Sequence, residues 1–142
     1  MNILSGWQID KNLGVFRIPI RITHPSTKLS VLKYCLFDSG FSGYLGLDKA
    51  TIKLLGLTKI GQGKGLTVTG LIEYENFEGI IEIVSQDQKV IGRIINKEIS
   101  IKNTENIIIP IQEFDIPIIG IKSILQFSWF ILSDKKAIFL LK

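Results

Sequence analysis

Few residues in this chain can do chemistry, and one of them stands apart. The run Tyr34-Cys35-Leu36-Phe37 ends on Asp38, and Ser39, Gly40 and Phe41 follow. On its own, an Asp after a strand is a turn former. It becomes more than that only if it gains a chemical partner. His24 is the one histidine, and it precedes both Ser39 and Ser42. A serine triad needs a base and an orienting acid around the nucleophile, and neither known chain order fits. Cys35 is the one cysteine and sits inside an apolar run, so it reads as a buried structural thiol. One Cys and one His do not make a zinc site. The stretch GQGKG, at 61–65, lacks the phosphate-loop pattern and is followed by strand-like sequence. No metal and no cofactor is expected.

Carboxylate chemistry remains. Two Asp side chains that share a proton can act as base and acid on one water, because like charges that close cannot both ionise. The other aspartates are Asp10, Asp48, Asp87, Asp115 and Asp134. Asp48 reads as a helix cap, and Asp87 and Asp134 lie in polar turns. Asp115, in QEFDIP, is the best alternative within one chain. The economical partner for Asp38 is its own copy across a two-fold axis, which makes a homodimer the expected state.

The elements that must hold this acid are mainly strands. GVFRIPIRI (14–22) alternates with a period of two, and Pro19 argues for an edge or irregular position. LSVLKYCLF (29–37) reads as an inward-running strand. LDKATIKLLGL (47–57) is a short helix, capped by Asp48 and ended by Gly56. The glycine-punctuated segment 59–84 reads as β structure. Further strands are expected over 89–101, 105–111 and 137–141, with a strand, a glycine and a helical turn over 116–127.

The stretch LFDSGFSGYLGL resembles the active-site strand and turn of retropepsin-like aspartic proteases, most closely the single-domain prokaryotic type. The resemblance extends over residues 14–141 of one 1–142 domain. It implies a mainly β, closed acid-protease fold with one or two short helices, working as a symmetric homodimer. It implies catalysis by Asp38 from each subunit, with Ser39 and Gly40 supporting the loop. The family's apolar-apolar-glycine motif falls on Ile118, Ile119 and Gly120, as structural residues beside that loop. A flap over the cleft falls on Gly65, Leu66, Thr67, Val68, Thr69 and Gly70. The implied activity is hydrolysis of peptide bonds in an extended peptide or unfolded protein. Two departures stand out: Phe41 replaces a small residue, and Gly120-Ile121-Lys122 lacks the family's arginine. The alternative is a non-catalytic dimeric peptide-binding module of the same fold.

Composition sets the remaining limits. The chain has 142 residues, 46% of them hydrophobic, which is enough for a core without disulfides. The net charge of +4 is scattered and forms no basic cluster, so no nucleic-acid partner is expected. No apolar run reaches membrane-spanning length and no leader is evident, so no membrane partner is expected and the cytoplasm is the expected location.

Overall fold

The computed structural model describes residues 3–67, 69–86, 91 and 103–141. In chain order the elements are β1 (Ile3–Gln8), β2 (Arg17–Thr23), β3 (Ser30–Phe37), β4 (Leu45–Leu47), α1 (Lys49–Leu55), β5 (Lys59–Thr67) and β6 (Gly70–Ile83). They continue with β7 (Ile107–Glu113), β8 (Ile118–Ile119), α2 (Ile121–Ile124), β9 (Ser128–Leu132) and β10 (Ala137–Leu141). Apart from the buried Ile91, the strand expected over 89–101 lies outside the described residues.

The alternation of isoleucines sets the face of β2. Ile18, Ile20 and Ile22 are fully buried, while Arg17 on the opposite face is exposed. β2 pairs antiparallel with β3 along its whole length, and through Ile20–Thr23 with the far end of β6. Pro19 lies where that second pairing ends. Its carbonyl accepts from Val84 N–H at 2.9 Å, and its missing N–H falls at a position where the ladder is already closing.

β8 is only two residues long, yet it joins the sheet. It runs parallel to β3, with Leu36 opposite Ile118 and Phe37 opposite Ile119. On its other side it runs antiparallel to β4, with Leu45 opposite Ile119. β4 in turn pairs parallel with β7. A strand with neighbours on both edges and both faces covered must be apolar throughout, and Ile118 and Ile119 are buried.

The sheet order is β2-β3-β8-β4-β7-β6-β5, with a separate three-stranded sheet β1-β10-β9. This corrects the expected closed retropepsin-like β fold. The larger sheet mixes parallel and antiparallel pairs, and although β2 also pairs with β6, β5 is left outside as an open edge, so the sheet is not completely closed. Among the described residues β5 has one neighbour, and so do β1 and β9 in the smaller sheet. One apolar core still spans both sheets. Trp7, Ile138 and Leu140 of the smaller sheet cluster with Ile18, Ile20, Leu45, Ile111 and Ile119 of the larger. Phe37 packs edge-on against Trp129 at 5.0 Å between ring centroids.

Helix α1 begins and ends where expected. Asp48 accepts a bond from Thr51 N–H at 3.0 Å and from the Thr51 hydroxyl. Gly56 adopts φ 64°, and its N–H donates back to the last carbonyls of the helix. Burial raises the Asp48 pKa, but the Thr51 hydrogen bonds and nearby Lys33 outweigh it, and the net shift is downward. A folded-state pKa below the unfolded value contributes stability that is fully present above the ordinary range, about 3.9, and lost as pH falls through the lowered value. Asp48→Ala is expected to lower stability by about 1 kcal/mol at neutral pH. Asp48→Asn keeps an acceptor but cannot titrate. Urea titrations should therefore show the parent's advantage over Asp48→Asn shrinking below pH 4, and a constant gap would count against the cap assignment.

Candidate functional site

β3 hands the chain to Asp38 through one last ladder bond, from Asp38 N–H to the Ile119 carbonyl at 3.1 Å. The backbone then turns. Gly40 N–H donates to Asp38 Oδ1 at 2.8 Å, and Phe41 N–H donates to the Asp38 carbonyl at 3.2 Å. This is an Asx turn closed by the side chain that begins it. A Cβ at position 40 would stand 3.1 Å from Asp38 Oδ1, so glycine lets the carboxylate close in. Asp38 is half-buried, while Ser39 and Gly40 are exposed at the tip.

The segment after the turn is stitched to the start of α2. Gly120 N–H donates to the Tyr44 carbonyl at 3.0 Å, Ile121 N–H to the Phe41 carbonyl at 2.9 Å, and Lys122 N–H to the Gly43 carbonyl at 3.2 Å. Gly120 has no room for a side chain: a Cβ there would lie 2.3 Å from the Gly43 oxygen and 2.4 Å from Phe41 Cδ1. Phe41, a departure from the resembled family, thus gains a role. Its ring lies on Gly120 and packs against Phe114 at 5.1 Å between centroids. The Ile118-Ile119-Gly120 motif sits beside the Asp38 loop, and the reason is backbone contact.

The segment from Gly65 to Gly70 lies on the β5–β6 hairpin. Leu66 pairs with Leu71 and Thr67 with Gly70, which adopts φ 119°. Val68, within the expected flap, lies outside the described residues. One face of β5 carries Gly61, Gly63 and Gly65 in alternation. Tyr74, directly opposite Gly63, lays its ring over that strip: a Cβ at Gly63 would meet the ring at 2.6 Å and one at Gly65 at 3.1 Å. The Tyr74 hydroxyl donates to the Lys64 carbonyl at 3.3 Å. Gly65 also faces the Asp38 loop, with its Cβ position 3.7 Å from Ser42 Oγ.

These positions overturn the aspartic-protease assignment. A proton-sharing dyad needs a second carboxylate beside the first. Among the described residues, no three His, Cys, Asp or Glu side chains gather at one place. Asp115 is exposed, Asp48 caps α1, and Asp10 accepts from Asn12 and Leu13 N–H groups in its own turn. The Asp38 carboxylate holds Gly40 N–H. With no carboxylate cluster among the described residues and without the closed fold, the retropepsin-like identification, and with it the peptide-hydrolase activity, is withdrawn.

His24, the one histidine, is buried, and its Nδ1 accepts from Ser26 and Thr27 N–H at 3.0 and 3.1 Å. Tyr74 escaped the sequence reading, although glycine at every second position of a strand is itself a signal that an aromatic covers the bare backbone. Cys35 is buried as expected, and burial pushes its thiol up to about 12. Among the described residues no helix is long and apolar enough to cross a membrane. No family model matches the chain, and no curated protein is detectably similar to it.

The close approach at Gly120 is directly testable. Gly120→Ala forces a methyl group against a backbone oxygen and is expected to lower stability by about 3 kcal/mol in urea unfolding. Combining it with Phe41→Ala should not restore the loss, because the Gly43 carbonyl remains in the way. Recovery in the double variant would mean that the Phe41 ring, and not the backbone, sets the limit.

Proposed function

We propose that this chain is a non-catalytic, dimeric peptide-binding module that takes an extended segment as an added strand along β5. One observation carries the reading. Across nine residues β5 has a neighbour on one edge only among the described residues. An edge of this kind offers a peptide main-chain hydrogen bonds. Gly65 at one end of the strip approaches Ser42, so a peptide laid along β5 runs toward the exposed Ser39-Gly40 tip.

The edge is guarded against indiscriminate pairing. Lys59 and Lys64 lie on β5, Lys59 forms an ion pair with Glu75 at 2.9 Å, and the register shifts between Lys59 and Gly61. Lysines and a bulge discourage one β5 from pairing with another, while leaving room for a chosen segment.

Short unstructured peptides should be screened for binding, and a binder followed by amide NMR of the labelled protein. Shifts and slowed amide exchange are expected along 59–65 and at Ser42, and the peptide should be recovered uncut at both neutral and acidic pH. Perturbations confined to other strands would refute the β5 site, and peptide cleavage would refute the non-catalytic reading.

A further inference from the structure

Three strands end the two sheets, and they are not equally defended. β5 has its lysines, its glycines and a register shift. β1 has a register shift between Ile3 and Ser5, and its Ser5 hydroxyl accepts from Gln86 N–H at 2.7 Å, which ties it to a neighbouring segment. β9, with the sequence SWFIL, has no charge, no proline, no glycine and no register shift against β10. Its only strand neighbour among the described residues is β10. Two of its large side chains are in water: Phe130 is 51% exposed and Ile131 57%. Because neighbouring residues of a strand point to opposite faces, the exposed apolar surface lies on both sides of this edge. Nearby Leu125, between α2 and β9, is 75% exposed.

We infer that β9 is the dimerisation edge, and that it pairs antiparallel with β9 of a second copy to join the two small sheets into one of six strands. The inference rests on the dimeric half of the reading above and not on its peptide-binding half. The occupant follows from symmetry and charge. A two-fold axis at Phe130 pairs that residue with its own copy and sets Ser128 opposite Leu132 of the partner subunit. The charged turn that follows the strand, with Asp134 and Lys135 in a 3-10 turn and Lys136 at its end, then lies toward the uncharged 124–127 end of the other copy. A parallel pairing would instead set Asp134 against itself, along with each of the two lysines. A bound foreign strand would satisfy the same backbone groups, but β9 carries no charged group to select one, whereas its own copy matches it in length and in both faces. A five-residue ladder is a small interface, so the expected dissociation constant is roughly micromolar and the dimer forms with concentration.

Sedimentation velocity over a concentration series tests this. The parent should move from its 16.0 kDa monomer toward twice that mass. Phe130→Lys with Ile131→Lys should stay monomeric at least about tenfold further up the series, with an unchanged circular dichroism spectrum. Ile60→Lys, on the β5 edge, should leave the dimer intact. If the lysine variant fails to fold, Phe130→Cys decides: mild oxidation should cross-link two copies through position 130. A parent monomeric throughout, a dimer indifferent to the lysines, or no cross-link would each overturn the assignment. The two readings fail separately. Peptide binding by a monomeric parent would sink only the β9 dimer, and a dimer deaf to peptides would sink only the β5 site.

Discussion

The arrangement depends on one close approach, the backbone of Gly120 against the backbone of Gly43. A side chain of any size at position 120 would stand within 2.3 Å of the Gly43 oxygen. Its absence allows three consecutive N–H groups, from Gly120 to Lys122, to reach the carbonyls of Tyr44, Phe41 and Gly43. Those bonds do what a longer strand would otherwise do. β8 is too short to hold its place by ladder pairing alone, yet it must fill the gap between β3 and β4. The stitched loop pins it from one end while Leu36, Phe37, Leu45 and Gly46 pair with it along its edges. Gly46 follows the same rule, since a Cβ there would meet Ile118 at 2.6 Å and Phe114 at 2.8 Å.

That junction explains what Asp38 does in the turn. The carboxylate sits where a parallel pair ends, and its own N–H is still part of the pairing. The chain must reverse direction at once to enter the 41–44 loop at the height that Gly120 demands. An Asx turn is a local solution, because the acid supplies an acceptor for Gly40 N–H without help from elsewhere. A carboxylate with that task has the geometry of a structural acid. A motif shared with an enzyme family therefore reports a turn between two strands before it reports a reaction.

The legible parts of the chain were those governed by local chemistry. Asp48 and Gly56 mark the ends of α1 because capping is decided within a few residues, and the structure places both at its caps. The isoleucines of β2 gave its buried face by simple alternation. Relations between distant segments were not legible. Nothing local in Ile118-Ile119 says that it inserts between β3 and β4 and not at an edge, and nothing in SWFIL separates a strand from an apolar turn until β10 lies beside it. Phe41 looked like an oversized substitution because its partners, Phe114 and Gly120, are over seventy residues away in sequence. The closed fold and the catalytic dyad were inferred from a short motif by resemblance, and a motif of that length does not determine which strands remain edges.

The edges are where the functional argument finally lies. A sheet that closes completely has no unpaired backbone and no need for guards. This one leaves strands exposed, and their compositions differ. β5 carries glycines where the Tyr74 ring leaves no room for a side chain, and it holds lysines along the same strand. β9 could have carried a lysine at position 131, since that side chain is largely in water, yet it holds Ile there beside the half-exposed Phe130. A guarded edge suits an occasional, selected strand. An unguarded apolar edge of matched length suits a copy of itself, because only a copy presents the same pattern on both faces at once. Chemistry at Asp38 has no part in that division of labour; the backbone of β5 and the side chains of β9 account for it.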